Sequence, residues 1–209
     1  MALPHSERGL DRLVNFTDAA VAISITLLVL PLVDIGAEVS KHPLQEVLGA
    51  HWENLLAFGI SFAVIGNLWM IHHRLFELVS DYDTNLIRLN LFWMVTITAL
   101  PFTTNVVANA SSSGAVYALY LGNIALASLC TLGIRFYLSK HTTLLRPDGA
   151  AELHVLGSVI PTGILLIALV LAVLVPSVGA LWLVLMFAGN PLERLIVRHE
   201  KVPKSSPEA

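Results

Sequence analysis

Charge is scarce in this sequence. Asp, Glu, Lys and Arg make up 13% of its 209 residues, while 56% are apolar; a soluble domain carries about 25% charged residues. Cysteine is almost absent. The one residue, Cys130, lies inside an apolar run, which excludes an internal disulfide framework and leaves no structural zinc site; a small packing residue is the reading it supports. There is no H-E-x-x-H pair, no phosphate-cradling glycine loop and no nucleophile motif. His72 and His73 are adjacent on a predicted helix, about 100° apart around it, so they do not chelate one ion. Nor is there a basic patch suited to nucleic acid. The residues therefore give no catalytic, metal or cofactor site and no nucleic-acid partner.

What is present is a set of long, continuous apolar runs. In lipid every backbone polar group must be satisfied internally, which leaves helices or a closed barrel. The runs are long rather than short and alternating, so they predict helices. Six spans of roughly the required 20 residues follow: about 12–33, 50–73, 85–108, 114–138, 153–175 and 178–197. Together they make one six-span domain over 1–199, with a polar tail at 200–209. The first run, about Leu13 to Val33, is too long for a signal h-region and has no cleavage site behind it. Pro31 to Ile35 reads as its helix end.

Lys and Arg fix the orientation. The N-terminus, the second and fourth loops and the C-terminus collect eleven of them, from Arg8 and Arg12 through Arg74, Arg88, Arg135, Lys140 and Arg146 to Arg194, Arg198, Lys201 and Lys204; the opposite side has only Lys41. By the positive-inside rule both termini are cytoplasmic. The expectation is a multi-pass protein of a bacterial inner membrane, with the lipid bilayer as its partner. Asp34, Glu38 and Glu46 on the outer side read as solvated loop charge.

Polar residues within spans are expensive and concentrate at functional sites. Arg12 and Asp18 begin the first span. Trp69, His72 and Arg74 end the second, and Asn85, Arg88 and Asn90 begin the third. Alternating topology puts Asp18, His72 and Asn90 at one cytoplasmic level, which predicts a buried network pinning the base of the first helix. Further along that helix, Ile23, Thr26, Leu27 and Leu30 share a face at i, i+3, i+4 and i+7. Small residues Ala19, Ala20, Ala22 and Ser24 suit close packing beside them. The stripe alone fits lipid contact or packing.

Arg12-x-x-x-Phe16-Thr17-Asp18 resembles the R-x-x-x-F-S-D signature of the transmembrane protein 175 family. Trp69-x-x-His72-x-Arg74-Leu75-Phe76 is similar to its second-helix run. The likeness continues through Leu89-Asn90-Leu91 and Thr96 to Phe102, and covers about the first half of the chain. Position 17 departs from the signature, with Thr for Ser, but keeps the hydroxyl.

The resemblance implies a homotetramer of six-span subunits, with the first helix of each lining a central pore that has no P-loop filter. It implies permeation by potassium, and by protons in the animal protein. Ile23 then corresponds to a hydrophobic constriction, Thr26 to a hydroxyl ring, and Leu27 and Leu30 to further lining. Arg12, Phe16, Thr17, Asp18, Trp69, His72 and Asn90 correspond to the network that holds the pore helix. The competing expectations are a proton-coupled transporter with Asp18 and His72 as relay, a proton-permeable channel, and a membrane protein without permeation.

Overall fold

The structure is a computed structural model, and it describes residues 7–110 and 113–174. All the regular elements among them are helical. α1 runs Glu7–Leu27, α2 Leu30–Glu38, α3 Leu44–Ala50 and α4 Trp52–Phe76. α5 runs Thr84–Asn109, α6 Gly114–Lys140, α7 Gly149–Glu152 and α8 Leu156–Leu174. Four segments are long and apolar enough to cross a membrane: Arg8–Glu38, Trp52–Phe76, Thr84–Asn109 and Gly114–Lys140. The fifth expected span is α8, whose apolar part, Pro161–Leu174, is shorter. The sixth expected span and the tail lie outside the described residues.

The first span differs from the expectation. It does not end at Pro31 to Ile35. The helix breaks at Leu28–Val29 and resumes as α2, with Pro31 in the first turn. Proline lacks an N–H and has a helical φ, so it suits the opening turn of a new helix. The third and fourth spans lie close to their expected bounds because each begins with a working cap. Asp83 accepts from the Leu86 N–H at 2.8 Å, and Ser113 accepts from the Val116 N–H at 3.4 Å.

α5 and α6 form the centre of the bundle. α5 packs on α1, α4 and α6, and α6 packs in turn on α8. Trp93, Ile97 and Leu100 of α5 and Tyr120, Leu121, Ile124 and Ile134 of α6 are fully buried. The α6–α8 contact is close: a Cβ on Gly114 would sit 2.9 Å from the Val173 carbonyl oxygen.

At one end, the α4–α5 and α6–α8 connections are stapled by backbone. Ser80 and Asp81 N–H donate to Leu144 O at 2.9 and 3.2 Å, Arg146 N–H donates to Leu78 O at 2.9 Å, and Val79 and Leu145 form an antiparallel bridge. Arg8, Arg12, Arg74, Arg88, Arg135, Lys140 and Arg146 belong to helix ends or loops at this end. Lys41, in the α2–α3 connection, belongs to the other.

Candidate pore-helix site

α1 has two unlike faces. Thr17, Val21, Ser24 and Leu28 are buried. Their spacing of four, three and four keeps them on one stripe against the bundle. Ser24 donates to its own Ala20 carbonyl at 2.8 Å, so its hydroxyl is satisfied without a partner helix. The opposite stripe is exposed: Phe16, Ala19, Ala22, Ile23, Thr26 and Leu27, with Ile23 at 59%. Leu30 is exposed too, but stands beyond the break, on α2. Thr26 donates its hydroxyl proton to Ile23 O at 2.8 Å. Its oxygen therefore presents lone pairs outward.

The inner stripe is held at its base by two polar contacts rather than one network. Trp69 Nε1–H donates to Asp18 Oδ1 at 2.8 Å. Separately, Asn90 on α5 is completely buried and bridges two helices. Its Nδ2 donates to Thr17 Oγ1 at 2.7 Å. Its Oδ1 lies 2.7 Å from His72 Nε2; an amide oxygen only accepts, so His72 carries its proton on Nε2. Thr17 lies 2.9 Å from Leu13 O and 3.6 Å from Met94 Sδ, and gives its own proton there.

His72 is clamped between aromatic rings, with Trp93 at 3.9 Å and Phe76 at 4.4 Å between centroids, both near parallel. His73 stacks instead on Trp69 at 5.2 Å. The structure thus places Thr17, His72 and Asn90 in one chain of bonds and Asp18 with Trp69 in another. Arg12 and Phe16 stand outside both. Phe16 is 59% exposed. Arg12 is exposed beside Tyr82 and Ile87, in a surface pocket it shares with Phe16.

A second buried set was not anticipated. Thr104 of α5 donates toward Ser61 of α4 at 2.8 Å, and Ser61 and Tyr120 of α6 share a hydrogen bond at 2.9 Å. Ser61 precedes His72 by eleven residues, roughly 16 Å along the helix, so this set ties α4, α5 and α6 well away from the first. Asn123 Nδ2 donates to Thr96 O at 3.0 Å. The signal was available, since Ser61, Thr104 and Tyr120 are polar groups inside apolar spans. The stacking partners Trp93 and Phe76 gave no such signal, because aromatic residues are ordinary core. Among the described residues no group of three or more His, Cys, Asp and Glu side chains is placed to hold a metal ion.

These residues coincide with a known sequence pattern. Residues 12–101, which hold most of α1, all of α4 and both polar contacts, match the profile of the family described as endosomal/lysosomal potassium channel TMEM175. Over that stretch the chain is similar to the TMEM175 family. That family is named for an ion channel, not for an enzyme.

The chain is 36% identical over 125 residues to a potassium channel of Streptomyces collinus, covering 56% of this chain and 59% of that one. It is 25% identical over 140 residues to the endosomal/lysosomal proton channel TMEM175 of Danio rerio, covering 67% of this chain and 27% of that one. The chain therefore spans less than two thirds of the length of these two relatives. In fold it is similar to the crystal structure of a lysosomal potassium-selective channel TMEM175 homolog from Chamaesiphon minutus. The TM-score is 0.72 at 23% identity, with 89% of this chain and 98% of that chain covered.

Proposed function

We propose that the chain is one subunit of a homotetrameric, potassium-permeable channel in a bacterial inner membrane. Each subunit has six spans with both termini cytoplasmic, and four copies of α1 surround the axis. The reading rests on the two-faced first helix. Its inner stripe is anchored by buried hydroxyl and amide groups, while Ile23, Thr26 and Leu27 are left exposed.

In such an assembly the Ile23 ring forms a hydrophobic constriction that closes by dewetting when narrow. Thr26 stands three residues along. With its proton held by Ile23 O, each hydroxyl offers only oxygen lone pairs, which replace part of a cation's hydration shell. The ion that is cheaper to dehydrate, potassium rather than sodium, is then favoured. Leu27 and Leu30 continue the apolar lining. Ala19 and Ala22 let neighbouring copies approach closely.

Purified protein in liposomes tests this. Ile23→Ala is expected to raise potassium flux several-fold over the unsubstituted protein, and equal flux would remove the constriction. Thr26→Val is expected to erode the preference for potassium over sodium, read as a shift in reversal potential. An unshifted potential takes Thr26 out of selectivity.

A proton-permeable channel is the second reading, favoured by the name of the Danio rerio relative; acidification of dye-loaded vesicles separates the two. A transporter relay through Asp18 and His72 is less favoured. Asp18 bonds Trp69 and His72 bonds Asn90, so the two side chains belong to different contacts.

A further inference from the structure

α2 is an unusual piece of a membrane span. None of its residues is buried; Pro31, Leu32 and Ile35 are half-covered, and the rest of its side chains are exposed. Its link to α1 is weakened where helices normally hold. Leu28 N–H reaches Ile25 O at 3.3 Å and Val29 N–H reaches Thr26 O at 3.2 Å, both i→i−3 bonds. Pro31 has no N–H to give the Leu27 carbonyl, so the i→i−4 ladder is interrupted there.

The last residue of α1's buried stripe, Leu28, sits immediately before the break and is 3% exposed. Behind the break lies a cleft between Leu28, Pro31 and Leu32 on one side and Ala57, Phe58 and Pro101 on the other. Its volume of about 10 Å³ holds no more than one water. The far end of α2 has one side-chain tie to the bundle, Glu38 Oε2 to His51 Nε2 at 3.1 Å. Asp34, Lys41, His42, Glu46 and Glu53 are the other charged or titratable groups on α2, α3, their connection and the start of α4. None of them makes an ion pair among the described residues.

We infer that α2 is a hinged arm of the first span, turning about Leu28–Val29 and latched to the start of α4 by the Glu38–His51 pair. The anchored stripe of α1 ends where the hinge begins, so the arm moves without disturbing Thr17 or Ser24. Leu30 travels with the arm, whereas Ile23, Thr26 and Leu27 stay with α1. On the channel reading proposed above, the latch then sets the outermost apolar ring independently of the inner ones.

The test is backbone hydrogen exchange on the full chain in lipid, followed peptide by peptide. Amides of residues 29–38 are expected to exchange faster than those of 13–27. Glu38→Gln and His51→Ala each loosen an exposed pair, and such pairs support a change of about five-fold at most; exchange over 29–38 should rise by up to that factor, with 13–27 unchanged. Pro31→Ala returns a donor to Leu27 O and should slow exchange across 28–33. Equal protection of the two stretches, unmoved by any of the three substitutions, overturns the arm.

Potassium flux on the same samples separates the two readings. Altered exchange in a protein that passes no cation keeps the arm and removes the channel. Flux through a protein whose exchange never responds keeps the channel and removes the arm.

Discussion

Asn90 is the residue on which the base of α1 depends. It spends an N–H on Thr17 and its oxygen on His72, both at 2.7 Å, with Met94 Sδ, a weak acceptor, 3.8 Å from the same amide nitrogen. Leaving a buried donor without its acceptor costs more than the bond was worth, although measured values inside membranes fall at the low end. Asn90→Ala should lower stability by about 1–2 kcal/mol, read as a lower unfolding temperature in detergent. Thr17→Val should do the same through the stranded Asn90 amide. Thr17→Ser keeps the hydroxyl and should leave the temperature within a degree or two of the parent. If Thr17→Val is equally silent, the bond contributes nothing.

These residues were legible because an amide, an imidazole and a hydroxyl in three apolar spans must find partners, and alternating topology brings them level. The division into two contacts was not legible. It follows from which side of each helix Asp18 and Thr17 occupy, one residue and about 100° apart. Arg12 shares a motif with Asp18 but not a contact, because a long cationic side chain at a span's edge is free to reach the surface.

At the scale of the element, caps and breaks separate what the chain announces from what it conceals. Asp83 caps α5 and also accepts from the Tyr137 hydroxyl. Partial burial by itself would raise its carboxyl. The bonds from Tyr137 and from the Leu86 N–H outweigh that and hold it below the ordinary carboxylate value. A carboxyl with a depressed folded pKa stabilises the fold above its unfolded pKa, and that contribution is lost as pH falls through the folded value. Thermal unfolding should therefore show a pH-dependent component between neutrality and the acid range that Asp83→Asn abolishes, since Asn still caps the helix but does not titrate. A variant with the parent's pH profile would discharge Asp83 from that role.

Pro31 teaches the opposite lesson. A proline just past a helix end and one in the first turn of the next helix look alike in sequence. Only the geometry shows that residues 30–38 resume as helix, and the same ambiguity hid α3.

Across the whole molecule, the described bundle carries its basic residues at one end and Lys41 at the other, as the charge count required. A mass of the lipid-bound complex near four times the 22.7 kDa chain is expected from the proposed assembly; a mass of one chain would defeat a pore built from four first helices. The motif likeness lies in the first half of the chain, which carries the polar side chains at the base of α1. α6 and α8 meet through apolar packing, the backbone approach of Gly114 to Val173 and a hydrogen bond between the Ser128 and Thr162 hydroxyls at 2.7 Å; many apolar residues can supply the packing part.

The staple between the two loops extends that reasoning. Its short bonds run from main-chain N–H to main-chain O and are indifferent to the side chains that carry them; the Ser80 hydroxyl adds only a long 3.4 Å bond to Leu144 O. Two demands remain. Positions 80, 81 and 146 must keep an amide proton, which bars proline, and position 149 must stay bare, because a methyl there would lie 2.8 Å from the Leu78 carbonyl oxygen. Gly149→Ala should open the connection to limited proteolysis, while Ser80→Ala and Arg146→Ala should not. A joint of this kind lets its text be rewritten almost freely while its shape is inherited unchanged.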